Sequence, residues 1–461
     1  MKEDPKWDHL LNKDRQRKSG KHSEDKRGPF ERDYDRVIYS SYFRRLKDKT
    51  QVFPLNKDDF VRTRLSHSLE VSSFCRSFGV DVVRTLNNRR IADLTKREAE
   101  VASILSTVGL LHDIGNPPFG HFGEESIRSW FREYFATNGE SSLTKPQVAD
   151  LTNFEGNAQA FRVVTYLQAL SDDKGLNLTF GTLSSLIKYP VDSVSINPSS
   201  GKAYSKNGYF QSEKEVFEEV HRRTGLSGYR HPLVFLMEAS DDIAFSAIDV
   251  EDALRMHVVS YEEFRTFMES RLNEKEHESL LSKMETDKKR LSDKWEKQKA
   301  SDIAITNFRI NAGGVMFRSC VDEFINRYQE IMDFSFHGSL IESSSGAELY
   351  TALRDFARKY VYTHPSILEL EMVGFKVIGG LMDFFIQAVN SDNRENGKTR
   401  EGKLYQLLSP TLKGLISNYG KIDDQYQRFQ MVVDYVSGLS DPYALSLYQK
   451  LSGIKLGHVA R

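Results

Sequence analysis

Apolar residues recur at three- and four-residue intervals through most of this 461-residue chain, and that period is the strongest constraint on its fold. In VASILSTVGLLHD (101–113), Val101, Ile104, Leu105, Val108 and Leu111 share one helical stripe. HPLVFLMEASDDIAFSAIDVEDALRM (231–256) and EMVGFKVIGGLMDFFIQAV (371–389) follow the same period. Alternating stretches are scarce; LNLTF (176–180) and SVSIN (193–197) are the candidates for one small hairpin. The expected fold class is all-α, a helical core with a helical C-terminal lobe and at most a small β-hairpin. Residues 1–28 read as a polar, mobile segment, 29–260 as the core, 261–305 as a charged, exposed helical insertion, and 306–461 as the C-terminal lobe. Residues 390–404, NSDNRENGKTREGKL, read as a surface loop.

Composition excludes some classes of function. Lys and Arg number 64 against 65 Asp and Glu, so net charge announces no nucleic-acid binder, although a local basic groove is compatible with it. Two cysteines, Cys75 and Cys320, cannot build a disulfide framework and suit a reducing compartment. The charged N-terminus lacks the apolar stretch of a signal peptide, and no run of about 18 apolar residues stands out as a membrane span. The expectation is a soluble, cytoplasmic protein with no membrane partner.

The helix ending LLHDIGNPPFGHFGEE (110–125) carries the chemistry. Gly115 sits where a C-cap belongs and Pro117-Pro118 forbid continuation, so His112 and Asp113 fall in a last turn whose side chains can converge on something outside the helix. Upstream, His67 is in register with Val71, Phe74 and Phe78, which turns it inward. Downstream, Asp241 shares a stripe with Val234, Met237, Phe245 and Ile248, whereas Asp242 groups with Glu238 and Asp249 on a wetter side. Two imidazoles and two carboxylates delivered by separate helices suit a divalent metal. Buried without one, they would need mutual hydrogen bonds and would disturb one another's protonation.

The order His67, His112-Asp113, Asp241 resembles the signature of the HD-domain metal-dependent phosphohydrolases. FRRLKDKTQVFPL (43–55), RTRLSHSLEV (62–71), HDIGNPPFGHFGE (112–124), NFEGNAQAFR (153–162) and EASDDIAF (238–245) are each similar to segments of the bacterial deoxyguanosine triphosphate triphosphohydrolases, in that family's order. The resemblance spans roughly residues 30–450. It implies an all-α fold and hydrolysis of dGTP to deoxyguanosine and inorganic tripolyphosphate. It also implies one divalent ion, Mn2+ or Mg2+ before Fe2+, Co2+ or Zn2+, held by His67, His112, Asp113 and Asp241.

The same resemblance assigns the remaining site. His121 would move a proton to the departing 5′ oxygen or from the attacking water, with Glu124 orienting it. Arg64, Asn157, Lys188 and Tyr189 would surround the phosphates. Gln51 and Phe245 would face the sugar; relatives commonly carry Tyr at the latter position, so one hydroxyl is lost here. Glu371 and Arg394 would read the guanine edge from the C-terminal lobe or an adjacent subunit. The family implies a homo-oligomer, often a hexamer. A site that grips nucleotide phosphates and bases could also accept single-stranded DNA as an effector. The competing readings are a broad dNTP triphosphohydrolase, and a non-catalytic nucleic-acid-binding regulator.

Overall fold

The computed structural model describes residues 5–17, 25–53, 55, 61–139, 142–168, 173–273, 275–418 and 424–454. Regular structure among them is helical, and β-pairing is limited to two isolated bridges, Arg15 with Thr179 and Thr50 with Thr63. The small hairpin does not form. In LNLTF, Thr179 instead caps the helix Phe180–Leu186 by accepting from the Thr182 amide, and SVSIN is loop. Threonine is a good strand former, but its hydroxyl also satisfies an open helix end, and here that use prevails.

Four helices form the centre. Arg64–Asn88 packs along Glu98–Leu111, and Pro232–Arg255 lies across both. The long helix Lys297–Asn326 covers the outer side of Pro232–Arg255. Gly109 sets the first crossing. A methyl group there would lie 2.6 Å from the Ser72 Cα, so only glycine lets the two backbones approach this closely. Ser72 Oγ then donates to the Ser106 carbonyl at 2.8 Å. This contact brings His67 and His112 to one place.

Gly115 has a different task from the C-cap expected of it. Helix Glu98–Leu111 is capped at His112 in ordinary right-handed geometry. A side chain on Gly115 would collide with the Gly156 carbonyl at 2.1 Å and the Ala160 amide at 2.2 Å. The glycine lets the turn seat directly on the helix Gly156–Arg162. The chain then turns through Phe119 and Gly120, both left-handed, into helix Gly120–Asn138.

The C-terminal lobe is tied to this core by buried charge. Arg162 is fully buried, donates to Asp434 through Nε (2.9 Å) and Nη2 (2.8 Å), and reaches Glu213 through Nη1 (2.5 Å). Asp441 accepts from the Thr50 amide (3.1 Å), the Thr50 hydroxyl (2.5 Å) and the Phe119 amide (3.1 Å). Helix Pro365–Asn390 packs on Gly120–Asn138 and Gln425–Ser437. That helix is long and apolar enough to cross a membrane, contrary to the sequence reading, but half of its apolar window is buried inside the molecule. It is a core helix by its packing.

Three expectations at the periphery change. Residues 5–17 are docked rather than free: Trp7, Leu10 and Leu11 are buried, Trp7 Nε1 donates to Tyr328 Oη at 2.9 Å, and Arg15 pairs with Asp33 at 2.5 Å. Three apolar residues at i, i+3 and i+4 suffice for one anchoring turn, too short to show as periodicity. The charged stretch 261–305 is helical, but Phe264, Phe267, Leu280, Leu281 and Met284 face inward. Helix Lys297–Asn326 runs without a break across position 305. The 390–404 loop is shorter than expected, because helix Arg400–Leu407 begins within it.

Candidate active site

Three of the four residues expected to hold a metal converge. The ligating atoms of His67, His112 and Asp241 lie within 4.8 Å of one another. The two imidazoles meet edge to face with ring centroids 5.2 Å apart. Asp241 Oδ1 stands 3.3 Å from His67 Nε2 and 3.4 Å from His112 Nε2.

The tautomer of His112 can be derived. Its Nδ1 lies 2.8 Å from the Gly109 carbonyl, an oxygen that can only accept, so Nδ1 carries the proton. In the neutral ring, Nε2 therefore presents a lone pair to the cluster, the arrangement that orients metal-binding histidines. That buried Nε2 has no hydrogen-bond partner. A buried, orphaned imidazole nitrogen facing a carboxylate is a donor set matched to a divalent ion, so the residues present fit one.

Asp113 adjoins the cluster without joining it in this structure. Its Oδ2 accepts from Arg64 Nη1 at 2.6 Å and its Oδ1 from Asn116 Nδ2 at 2.5 Å; Oδ2 is 3.7 Å from His112 Nε2. Lys188 Nζ donates to Asp241 Oδ2 at 3.0 Å. Arg64 and Lys188 thus neutralise the two carboxylates. Burial alone would raise the Asp113 pKa, but Arg64, His112 and His67 pull it well below the usual carboxylate range. Burial opposes Asp241 ionisation too, and Lys188 and His112 outweigh it. His112 shows the converse: burial disfavours its cation, while Asp113 and Asp241 raise its pKa overall.

The cluster opens into a cavity of about 440 Å³. Gln51, Arg64, His112, Asp113, His121, Asn157, Lys188, Tyr189, Asp241, Phe245 and Glu371 line it. His67 and Glu124 stand behind the wall and hold lining residues in place. His121 is exposed, and its Nδ1 lies 3.3 Å from Glu124 Oε2. Glu124 is buried and also accepts from the Gly156 amide at 2.8 Å. Burial raises its pKa, but the His121 hydrogen bond and the charges of His121, Lys206 and Arg128 hold it near about 2. Gln51 Oε1 is buried without a partner. Asn157 Nδ2 donates to Glu155 Oε1 at 2.8 Å, and burial raises the Glu371 pKa.

Arg394 is not part of the lining. It lies in the turns after helix Pro365–Asn390, while Glu371 lies in that helix's second turn. At 1.5 Å per residue the helix carries the chain about 28 Å from Glu371 to its end. Within one chain the two residues do not meet at a base edge.

Other lining residues carried no clear sequence signal. Lys206 pairs with Glu155 at 3.1 Å and sits in an irregular stretch without period. Tyr362 stacks beside Phe245 at 6.0 Å and donates to Asp249 at 2.7 Å. The face of Asp242, Glu238 and Asp249 is not wet, as expected, but a polar interior. Glu238 pairs with Arg230 at 2.6 Å, and Asp242 meets Lys202 (3.4 Å) and Tyr350 (3.2 Å). Charged partners from the loop before the helix and from a short turn make burial tolerable there, and those partners are invisible to helical periodicity. Asn116 had a signal, since it stands three residues after Asp113 in the same turn.

Residues 64–155 match the HD domain family, and residues 342–450 match the phosphohydrolase-associated domain. A protein of Listeria monocytogenes serovar 1/2a named deoxyguanosinetriphosphate triphosphohydrolase-like protein is 39% identical, over 97% of this chain and 100% of its own length. The chain belongs to the HD-domain deoxyguanosinetriphosphate triphosphohydrolase-like family. Another such protein, of Synechocystis, is 35% identical over 98% of this chain and all of its own length. A protein of Yersinia pestis named deoxyguanosinetriphosphate triphosphohydrolase is 31% identical, covering 92% of this chain and 93% of its own. Membership in this HD family makes the chain a metal-dependent phosphohydrolase. The phosphohydrolase-associated match covers the segment that contributes Glu371, Tyr362, Asp434 and Asp441.

Proposed function

We propose that the protein hydrolyses dGTP to deoxyguanosine and inorganic tripolyphosphate, using Mn2+ or Mg2+. The observation that carries the reading is the convergence of His67, His112 and Asp241 beside Arg64 and Lys188 at the floor of one cavity. A divalent cation held by His67, His112, Asp241 and Asp113 supplies Lewis-acid activation of phosphate and of water.

The chain's own residues do the rest. The Arg64 guanidinium and Lys188 ammonium rest on carboxylates at the cavity floor and can turn to phosphate oxygens, Arg as a fork and Lys as a point charge. Asn157 and Tyr189 add donors beside them. His121 holds or moves the proton at the 5′ oxygen or at the attacking water. Glu124, ionised and buried, stands 3.3 Å from His121 Nδ1 and fixes the ring. Gln51, with its unsatisfied Oε1, is placed to accept from a sugar hydroxyl. The Phe245 ring, backed by Tyr362, offers a flat apolar face against which a 2′-hydroxyl would be unsatisfied. Glu371 is the guanine-edge acceptor in this reading. Exposed Leu368, Met372 and Val373 on the same helix would be covered in a homo-oligomer, which light scattering tests.

The experiment incubates the protein and its Asp241→Ala variant with each of the four dNTPs and GTP, with Mn2+ or Mg2+, and follows products by phosphorus NMR. Tripolyphosphate from dGTP, lost in the variant, is the expected result. Equal tripolyphosphate from all four dNTPs would keep the chemistry and remove the guanine role of Glu371.

A further inference from the structure

Lys49 is buried, 3% exposed, and the reaction as proposed leaves it unused. Its Nζ donates to the Asn116 carbonyl at 2.6 Å and to the Ser437 carbonyl at 2.7 Å. Ser437 is the last residue of helix Gln425–Ser437, where carbonyls lack intrahelical partners and a cation is favoured. Asn116 closes the turn that follows His112 and Asp113, and its Nδ2 donates to Asp113 Oδ1 at 2.5 Å. The Lys49 backbone takes part too: its carbonyl accepts from the Arg64 amide at 2.8 Å, at the start of the helix that carries His67. One residue thus joins the His67 helix, the Asp113 turn and the C-terminal lobe.

A lysine is an unfavourable choice for so buried a position unless its donors are needed. Burial is the main influence on it and pulls its pKa from 10.5 down to about 7; Arg64 and Arg45 act in the same direction, against Asp441 and Asp113. What the side chain supplies is donors at the end of a long reach. The ammonium has three N–H groups and the neutral amine two, so both carbonyls stay bonded in either form. An apolar residue of that length would leave them unpaired, and a buried carbonyl without a partner is destabilising by as much as a lost hydrogen bond.

We propose that Lys49 is a positioning residue for the metal site: its Nζ fixes the Asp113 turn against the end of helix Gln425–Ser437, so that the docked C-terminal lobe sets where the Asp113 carboxylate stands. The inference rests on the reading of His67, His112, Asp113 and Asp241 as ligands. Lys49 does not line the cavity and acts through Asn116, whose turn it holds. Arg45 supplies the contrast. It is exposed and donates to the neighbouring Gly438 carbonyl at 3.2 Å, so it grips the same end of the lobe and makes no hydrogen bond to the Asp113 turn.

The test is calorimetric titration of Mn2+ into the full chain and its variants, with electron paramagnetic resonance of the bound ion at saturation. Asp241→Ala, which removes a ligand, should abolish binding and so identifies the site being read. Lys49→Met should weaken Mn2+ binding about tenfold and alter the resonance spectrum. Lys49→Gln, with a donor amide on a shorter stem, should fall between, and it carries the same comparison if Lys49→Met does not fold. Asn116→Ala should show a similar loss, and Lys49→Met/Asn116→Ala no more than the larger single loss, because the two side chains act in series. Arg45→Met should keep wild-type affinity and spectrum even where its urea midpoint falls as far as that of Lys49→Met, which separates positioning from loosened docking. Additive losses in the double variant, or an equal loss in Arg45→Met, overturn the proposal. Absence of Mn2+ uptake by wild type overturns the metal-site reading and this inference with it, whereas uptake by wild type that Lys49→Met and Lys49→Gln leave unchanged overturns this inference alone.

Discussion

Removing the positive charge of Arg162 should uncouple the C-terminal lobe from the core. The guanidinium is 1% exposed and holds Asp434 as a fork, while its Nη1 satisfies Glu213 and lies 3.1 Å from Ser212 Oγ. In Arg162→Met, hydrocarbon replaces the fork at similar volume, and two carboxylates stay buried without a cation. Breaking a buried ion pair from one side costs about 3–5 kcal/mol, because the remaining charge is uncompensated. Gln159 still donates to Asp434 at 2.9 Å, so about 4 kcal/mol is the expected loss. With a slope of about 3 kcal/mol/M, the urea midpoint drops by about 1.3 M. The deficit should shrink as pH falls, since protonation is the route by which stranded carboxylates lose their charge. Neutralising both acids in Arg162→Met/Glu213→Gln/Asp434→Asn should recover most of the loss. The assay is equilibrium urea unfolding by circular dichroism at about pH 7.5 and about pH 5.5. A loss below about 1 kcal/mol in the single variant, or a triple variant no more stable than the single one, refutes the reasoning.

Three further outcomes are expected. His121→Ala should lower kcat by about a hundredfold to ten-thousandfold while leaving Mn2+ affinity, read by calorimetry, unchanged; Glu124→Gln should lower kcat less and shift its pH profile. His231 is buried, with Nε2 donating to the Leu10 carbonyl (3.2 Å) and Nδ1 accepting from the Leu233 amide (3.1 Å); burial lowers its pKa to about 3 from an ordinary 6.5. Its stabilising effect is therefore complete above pH 6.5 and is lost as pH falls toward 3, so the stability advantage of wild type over His231→Asn should shrink by about 2 kcal/mol between pH 7 and pH 5. Asp441→Ala removes the acceptor that ties Thr50, beside Gln51, to the Phe119 turn, so stability should fall by about 2 kcal/mol or more and KM should rise; an unchanged KM would show that Gln51 is held by other contacts.

Much of the candidate site was legible because it is written in the helical period. His67, His112 and Asp241 stand on apolar stripes that must face inward, and only the period is needed to say so. Periodicity offers no such handle on Lys206, Tyr362 or Asp441, which come from irregular or distant segments and reach the cavity or its supports only after the lobes have docked. Asp242 was misread because period distinguishes apolar from polar faces, not wet polar faces from dry ones. Residues 5–17 were misread because one docked turn is shorter than any periodic window.

By itself, then, the order of residues determined the all-α class, the interruption after His112, and the inward register of three metal-binding candidates, because these follow from local backbone geometry and burial of one helical face. Tertiary structure decided the rest. It brought Arg64 onto Asp113 and Lys188 onto Asp241, and placed Glu371 at the cavity and Arg394 outside it. Those are questions of which surfaces meet, and distance through space is not encoded in spacing along a chain.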